Sequence, residues 1–338
     1  MRVLLTGGLG YIGSHTAIAL SAAGHHVLIV DDLSNSHREV IDRIEALSGC
    51  TMPLLVADVR DEVALLGFLH DHGEVDVAIH FAGLKAVAES VANPERYYDV
   101  NIGTTLALLR AMEAHGIADL VFSSSATVYG SSKSVPHTEA SSVGTGIANP
   151  YGKTKHMIEE ILRDACAANP DLRTTALRYF NPVGAHPSGM IGENPRGFPN
   201  NLMPIVAGVA TGERDEVTVF GHDYSTPDGS GVRDYIHVQD LARGHVLAAE
   251  YKSKGFEAIN LGSGVPSSVL DLIRAYQEVS GRNIPYSLAS RRPGDVAVSY
   301  ADVVKAERVL GWKAEHTLLE ACRDDWAWQQ ATARKPLP

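Results

Sequence analysis

A tyrosine and a lysine in the run Asn149-Pro150-Tyr151-Gly152-Lys153-Thr154-Lys155 have types and spacing that predict proton-transfer chemistry. Tyr151 and Lys155 are four positions apart, and residues at this spacing on a helix share one face. A cation close to a phenol favours the phenolate and lowers a pKa that starts at about 10. The pair therefore predicts a base that can take a proton from an alcohol near neutral pH.

A serine run supports this interpretation. Ser125 ends Ser123-Ser124-Ser125, which follows an apolar, strand-like segment 26 residues before Tyr151. An isolated Tyr-x-x-x-Lys is usually a surface helix with a solvated lysine. Here the pair follows a serine run at a strand end and a nucleotide-binding pattern, and both favour a catalytic role.

A glycine-rich turn near the N-terminus predicts a dinucleotide site. Gly7, Gly10 and Gly13 fit a GxxGxxG spacing, and Gly8 completes a GxGxxG spacing. Glycines there permit a tight turn and let the backbone approach a pyrophosphate, and the following helix offers free N–H groups. Such turns also occur for packing reasons, but this one follows a strand and opens a helix.

Acidic residues at the next strand ends favour NAD over NADP. Asp31 ends the second strand, where a carboxylate accepts hydrogen bonds from ribose hydroxyls and repels a 2′-phosphate. Asp58 ends the third strand, where it could meet the adenine or, equally, cap the next helix. We therefore expect NAD as the cofactor.

The elements that position these groups follow from alternating patterns. Strand-like segments lie at 3–5, 27–30, 54–56, 77–79, 120–122 and 174–177, with helical stretches between them. This alternation is typical of a parallel sheet covered on both faces, with ligands beyond the carboxyl ends of its strands. We predict an α/β fold with a Rossmann-type doubly wound parallel sheet.

The amino-acid composition of the sequence changes after Asn181. Residues 182–202 are rich in Pro, Gly and Asn, as loops are. We expect an NAD-binding domain over 1–181 and a smaller mixed α/β substrate-binding lobe over 182–338. The boundary is soft, and the chain can cross between the lobes.

Charge and cysteine usage exclude some function classes. The net charge of −11 over 338 residues argues against general nucleic-acid binding, which needs a basic surface. The three cysteines are widely spaced and predict neither a disulfide framework nor a metal cluster, and they favour a reducing compartment. With no apolar run long enough for a bilayer, we expect a cytoplasmic protein without metal, membrane or nucleic-acid partners.

The triplet Ser125, Tyr151 and Lys155 resembles that of the extended short-chain dehydrogenase/reductase superfamily. Further segments narrow the resemblance to the UDP-galactose (UDP-glucose) 4-epimerases, from residue 1 to about residue 328. These segments are 7–15, 81–87, 123–130, 178–185, 199–204, 231–238 and 292–295.

This resemblance implies an isomerase of galactose metabolism that inverts C4 of a UDP-hexose with NAD that stays bound. Tyr151 would take the 4′-hydroxyl proton while the C4 hydride passes to nicotinamide. Lys155 would hold the nicotinamide ribose, and Ser125 would bridge the substrate O4 and Tyr151. The 4-keto sugar would then turn over and take the hydride back on its opposite face. A homodimer is also implied.

The resemblance also implies two sets of binding residues. Beside the triplet, the NAD set is Gly7, Gly10, Tyr11, Ile12, Gly13, Asp31, Asp32, Leu33, Asn35, Ser36, Asp58, Val59, Phe81, Ala82, Gly83, Lys85 and Phe180. The UDP-hexose set is Lys85, Ser125, Tyr151, Tyr179, Asn181, Asn200, Asn201, Leu202, Thr218, Val219, Phe220, Arg233, Tyr235, Arg292, Asp295 and Ser299. The guanidinium fork suits a diphosphate, although each arginine could instead form a surface ion pair. The aromatic residues could be plain core.

Three positions depart from the family pattern. Val100 replaces a common asparagine near the cofactor, so one polar contact to NAD is absent or comes from Asn101. Asp32 replaces an asparagine after the ribose acid, which disfavours NADP further. Ser299 stands where members restricted to UDP-glucose and UDP-galactose carry tyrosine. Because members with a small residue there admit N-acetylated sugars, we expect activity on UDP-GlcNAc and UDP-GalNAc as well.

Three other functions compete with this one. A nucleotide-sugar 4,6-dehydratase shares the fold but needs an acid pair where this chain has Ala126 and Thr127. A simple alcohol dehydrogenase would release NADH into solution. A non-catalytic NAD-binding regulator would not need the full catalytic triplet.

Overall fold

The computed structural model describes residues 1–132, 134–197, 201–292 and 294–334. Its strands are β1 (Arg2–Thr6), β2 (His26–Asp31), β3 (Leu54–Val56), β4 (Val77–His80), β5 (Asp119–Ser125), β6 (Arg173–Tyr179), β7 (Asn181–Val183), β8 (Val217–Phe220), β9 (Val232–His237), β10 (Phe256–Leu261), β11 (Pro266–Ser268), β12 (Tyr286–Ala289) and β13 (Val298–Ser299). Its α-helices are α1 (Tyr11–Ala22), α2 (Val40–Ser48), α3 (Glu62–His72), α4 (Val87–Ala92), α5 (Pro94–His115), α6 (Pro150–Ala168), α7 (Leu202–Thr211), α8 (Val238–Glu250), α9 (Val269–Ser280), α10 (Val304–Leu310) and α11 (Leu318–Arg334). A short 3₁₀ helix covers Ala126–Tyr129.

Seven parallel strands form the large sheet, in the order β10-β6-β5-β4-β1-β2-β3. Side chains alternate between its two faces, so Val3 and Leu5 enter one core while Leu4 enters the other. Helices α1 and α8 pack together on the first face, and α3, α5 and α6 cover the second. The predicted doubly wound parallel sheet is confirmed.

The chain crosses back to this sheet after residue 181. Strand β10 pairs along its whole length with β6, from Phe256 opposite Thr174 to Leu261 opposite Tyr179. Helix α8 packs against α1, so it covers a face of the large sheet. Residues on both sides of position 181 therefore build the half that contains the large sheet.

The remaining elements form a smaller mixed α/β layer. Strands β7, β9, β11 and β13 make one sheet, in which β11 is antiparallel to β9, and β8 pairs with β12 in a two-stranded sheet. Helices α7, α9 and α11 pack around a separate apolar core with Val217 and Val219 from β8. Within the described ranges, no helix has the length and apolar character needed to cross a membrane.

Candidate active site

A cavity of 580 Å³ opens at the carboxyl ends of the central strands. This volume falls within the roughly 300–1,000 Å³ typical of ligand sites. The strand order reverses between β1 and its neighbours β2 and β4, and doubly wound sheets bind nucleotides at such a switch point. The cavity therefore lies where the fold favours a nucleotide.

The glycine-rich turn after β1 forms one wall of this cavity. Gly7 has a φ of 72°, and a Cβ added there would lie 2.7 Å from the backbone N of Ala82. A Cβ on Gly13 would collide with the carbonyl oxygen of Gly7. Helix α1 begins after Gly10, which provides no side-chain cap, so the first N–H groups of the helix remain available to an anion.

Asp31 ties the glycine-rich turn to the loop after β2. Its carboxylate accepts hydrogen bonds from the N–H of Leu9 at 2.9 Å and of Leu33 at 3.0 Å, and from the hydroxyl of Ser36 at 2.6 Å. Burial raises the pKa of Asp31, and these donors oppose the rise. The carboxylate is therefore held rigidly at the cavity wall.

Asp58 also lines the cavity, but it does not cap a helix. Its carboxylate pairs with Arg60 at 2.8 Å, which lowers the pKa of Asp58, and Arg60 reaches Asp99 as well. Asp61 instead caps α3, because its carboxylate accepts from the N–H of Ala64 at 3.1 Å. The capping interpretation of Asp58 is wrong.

Helix α6 carries Tyr151 and Lys155 into the cavity. Asn149 caps the helix by accepting from the N–H of Gly152 at 2.8 Å, so Tyr151 lies in its first turn. The Lys155 Nζ donates to the carbonyl oxygen of Ser123 at 2.6 Å and lies 5.9 Å from the centre of the Tyr151 ring. The helix cap and the end of β5 thus fix both side chains.

The electrostatics of this pair differ from the prediction. Burial raises the pKa of Tyr151, and a hydrogen bond with Ser125 opposes that rise. Burial lowers the pKa of Lys155 to about 8, against the negative charge of Glu159. The direction for the protein groups alone is therefore opposite to the expected lowering of the phenol pKa, because the loss of hydration on burial outweighs the effect of the Ser125 hydroxyl.

Most of the predicted NAD residues meet in the cavity lining. They are Gly7, Gly10, Tyr11, Ile12, Gly13, Asp31, Asp32, Asn35, Ser36, Asp58, Val59, Phe81, Ala82, Gly83, Lys85, Tyr151 and Lys155. Ser125 is buried at the end of β5 beside Tyr151. Phe180 is an exception, because it packs with Val128, Tyr129 and Ala301 in a small apolar cluster, as plain core does.

Asn101 does not replace the missing contact at Val100. Its amide oxygen accepts from the N–H of Leu84 at 2.7 Å, and its amide nitrogen donates to the Leu84 carbonyl and the Thr154 hydroxyl, both at 3.0 Å. Val100 itself lines the cavity. Asn101 therefore fixes the loop after β4 onto α6, and both N–H donors of its amide are used within the protein.

The predicted UDP-hexose residues spread from the cavity into the smaller layer. Tyr179 and Asn201 line the cavity, and Asn181 begins β7. Leu202 begins α7 and Thr218 is exposed on β8.

The side chains of Val219 and Tyr235 are buried in the C-terminal core. Val219 alternates with its exposed neighbours on β8, which leaves its backbone rather than its side chain for a ligand. Asn200 lies outside the described residues.

Three of these residues meet at one edge of the smaller layer. The Arg292 guanidinium lies 4.9 Å from the centre of the Phe220 ring, and its Nε donates to Asp295 at 2.9 Å. Arg292 is thus in an exposed ion pair, as its alternative interpretation predicted. A Cβ on Gly294 would meet the Cβ of Ala148, so this loop reaches the start of α6.

Ser299 and Arg233 are directly paired across β13 and β9. Ser299 is half-buried. Arg233 donates to the carbonyl oxygen of Val232 at 2.8 Å, and none of the carboxylates that the structure describes pairs with it. This register brings the residue that we expect to set the sugar specificity next to a predicted diphosphate ligand.

Several cavity residues were not predicted from the sequence. Segment 191–196 lines the cavity, together with Arg43 and Trp328. These residues follow no motif or periodic pattern. Only the fold brings them to the site.

A doubly wound sheet with a glycine-rich turn and a buried Tyr–Lys pair at the switch point defines an enzyme of the short-chain dehydrogenase/reductase type. The chain belongs to the NAD dependent epimerase/dehydratase family, whose model matches residues 3–262.

Curated and solved relatives are similar over nearly the full length. The UDP-glucose 4-epimerase of Bacillus subtilis (strain 168) is 50% identical over 98% of this chain and 97% of its own. The crystal structure of UDP-glucose 4-epimerase from Bifidobacterium longum, in complex with NAD⁺ and UDP, has a TM-score of 0.95 and 49% identity, covering 98% of this chain and 99% of that one. A UDP-glucose-4-epimerase from Stenotrophomonas maltophila, with bound NAD and formylated UDP-arabinopyranose, has the same TM-score of 0.95 and 49% identity, covering 99% of both chains.

Proposed function

We propose that the protein interconverts UDP-glucose and UDP-galactose by inverting C4 of the hexose with tightly bound NAD. The observation that carries this proposal is the placement of Tyr151 and Lys155 in the same cavity as the glycine-rich turn. The relatives named UDP-glucose 4-epimerase, and the complex of one of them with NAD⁺ and UDP, support it.

The residues of the cavity fit NAD. The uncapped N-terminus of α1 suits the pyrophosphate, and the fixed carboxylate of Asp31 suits the adenosine ribose. Lys155, with its ammonium beside Tyr151, would hold the nicotinamide ribose. When bound, NAD supplies the ring that accepts the C4 hydride and returns it.

Tyr151 moves the proton in both directions. It takes the proton of the 4′-hydroxyl as C4 is oxidised, and returns it when the ketone is reduced on the opposite face. Ser125, beside Tyr151 at the end of β5, gives the proton a short path. Lys155 stabilises the phenolate that takes the proton in the first step and forms again when the proton is returned in the second.

The smaller layer holds the UDP moiety. Arg233 and Arg292 bind the diphosphate, for which the guanidinium fork is well suited. Asp295 accepts from ribose hydroxyls, and Phe220 gives an apolar surface beside Arg292. A firm hold on UDP leaves the sugar free to turn over between the two hydride transfers.

The substrate range includes UDP-GlcNAc and UDP-GalNAc. Ser299 is half-buried and pairs with Arg233 on the neighbouring strand. A hydroxymethyl group there leaves space beside C2 of the sugar that a tyrosine ring would fill. The position acts by steric exclusion, so a small residue admits an acetamido group.

The competing functions have weaker support. Ala126 and Thr127 follow Ser125 in the 3₁₀ helix, so the acid pair of a 4,6-dehydratase is absent from this described segment.

A homodimer in cytoplasmic galactose metabolism is part of the proposal.

A coupled assay of all four UDP-sugars, without added NAD, tests the function. We expect the purified protein to turn over UDP-galactose and UDP-GalNAc with no NADH in solution. Stoichiometric release of NADH would contradict the epimerase and favour a dehydrogenase. Turnover of UDP-galactose without any turnover of UDP-GalNAc would contradict the wider substrate range alone.

A further inference from the structure

Segment 191–196 lines the cavity and meets the loop after β2 at Arg196. Every residue from Ile191 to Arg196 contributes to the cavity lining. The loop after β2 contributes Asp31, Asn35 and Ser36 to the same lining. A ligand that fills the cavity therefore lies between the sheet ends and this segment, which we call the strap.

Arg196 fastens one end of the strap to the ribose-binding loop. Its Nε donates to the carbonyl oxygen of Ser36 at 2.9 Å, and its backbone N–H donates to the side chain of Asn35 at 3.2 Å. The Ser36 hydroxyl donates in turn to Asp31 at 2.6 Å. Arg196 is thus connected, through one residue, to the carboxylate that suits the adenosine ribose.

Glu193 fastens the strap at the other side of the cavity. Its side chain is only 7% exposed, and its Oε1 accepts from Lys85 Nζ and from Asn201 Nδ2, both at 2.7 Å. Lys85 follows β4, whereas Asn201 precedes α7. One carboxylate therefore joins the nucleotide-binding half to the substrate-binding layer across the cavity.

The N-terminal part of the strap rests on the C-terminal helix. A Cβ added to Gly192 would lie 2.5 Å from the Trp328 ring, so the backbone packs directly on the indole. Arg43 lies 5.4 Å from the centre of the same ring and donates to the Met190 carbonyl at 3.2 Å. The strap is therefore held at Gly192, at Glu193 and, at its C-terminal end, at Arg196.

We propose that the strap retains the dinucleotide, and that the contacts of Arg196 and Glu193 set the rate at which the cofactor dissociates. The proposal depends on the proposed function only for the identity of the cofactor as NAD. The dinucleotide can dissociate only when the strap moves away from the cavity. This movement breaks the contacts of Arg196 with Ser36 and of Glu193 with Lys85. Hydrogen bonds of charged groups correspond to about 10- to 100-fold in an equilibrium.

Exchange of bound NAD for isotope-labelled NAD tests this proposal. Arg196→Ala and Glu193→Ala should each speed exchange by about 10- to 100-fold, and should lower the NAD content of protein purified and dialysed without cofactor. Arg282→Ala is the matched control, because it removes an exposed arginine elsewhere, and its exchange should equal that of the wild type. Gly192→Ala, which crowds Trp328, should also speed exchange.

Two results would contradict the proposal that the strap retains the dinucleotide. One is an exchange rate in both Arg196→Ala and Glu193→Ala that is indistinguishable from wild type. The other is a loss of epimerisation in Arg196→Ala that saturating NAD does not restore, which would assign the residue to another step. A protein without epimerase activity, whose labelled NAD still exchanges faster in the variants, would overturn the proposed function and leave the strap in place.

Discussion

Glu159 and Arg178 form a buried ion pair between the helix that carries Tyr151 and Lys155 and strand β6. Arg178 Nη2 lies 2.5 Å from Glu159 Oε2, and its Nε lies 2.9 Å from Oε1. The Ser124 hydroxyl donates to the same carboxylate at 2.5 Å. The pair thus joins α6 to the ends of β5 and β6, and it holds the reactive side chains against the sheet.

Removal of Glu159 should destabilise the protein severely. Glu159→Ala leaves the buried Arg178 charge without a partner, and we expect a loss of about 3–5 kcal/mol in the free energy of unfolding. Glu160→Ala is the matched control, since its pair with Arg163 at 3.6 Å is about half exposed; we expect about 0–1 kcal/mol. Denaturant unfolding of both variants measures the free energy of unfolding. Equal losses in the two variants would show that the buried pair contributes no more to stability than the exposed pair.

Replacement of Tyr151 should abolish turnover without loss of the cofactor. Tyr151→Phe removes the proton carrier, so we expect kcat to fall by about 10²- to 10⁴-fold at unchanged NAD content. Tyr251→Phe also loses a hydroxyl, one that donates to Glu257 outside the cavity, and should keep its activity. Full activity in Tyr151→Phe would overturn the mechanism.

Asp325 should make stability depend on pH. Burial raises its pKa to about 7 from a model-peptide value of 3.8, and Tyr276 donates to it at 2.6 Å. The folded pKa lies above the unfolded one, so the folded state binds the proton more tightly. The stabilising contribution of Asp325 to the free energy of unfolding is therefore present at low pH and is lost as the pH rises from about 4 to about 7.

Asp325→Asn keeps a neutral group at every pH. We expect this substitution to remove the decrease in the free energy of unfolding between pH 4 and pH 7 that Asp325 causes. Above pH 7 the free energy of unfolding should exceed that of the wild type by up to about 4 kcal/mol. Asp171→Asn, at an exposed position, serves as the control. Thermal unfolding from pH 4 to 8 measures both, and a wild-type slope in Asp325→Asn would contradict the assignment.

A bulky residue at position 299 should narrow the substrate range. Ser299→Tyr fills the space beside the sugar, so we expect kcat/KM for UDP-GalNAc to fall by about 10- to 200-fold while UDP-galactose is still turned over. Ser299→Ala keeps the space and should retain both activities. A parallel fall on both sugars in Ser299→Tyr would indicate general disruption rather than steric exclusion.

The sequence predicted the central sheet because its strands carry local signals. Val3, Leu28 and Ile79 lie in short apolar segments, and Gly7 and Gly13 mark the turn that the pyrophosphate would need. Strand β10 carries no such signal, because Glu257 and Asn260 interrupt its apolar character. Its place in the sheet comes from pairing with the distant β6, which no local pattern encodes.

The site was predictable where a motif defines it. Asp58 and Asp61 are chemically alike and three residues apart, so only the fold shows which of them caps the helix. Glu193 and Arg196 have no motif, and their partners are distant in sequence. The direction of the Tyr151 pKa shift depends on burial, and spacing alone does not report burial.

The late position of β10 in the chain has a consequence for biosynthesis. When residues up to 181 have left the ribosome, the edge of β6 is still unpaired and the apolar surface of α1 lacks α8. Exposed strand edges of this kind associate with other chains. The nucleotide-binding sheet is therefore completed only after much of the substrate-binding layer has been synthesised, and translation arrested before Phe256 would yield an aggregation-prone fragment rather than a free cofactor-binding domain.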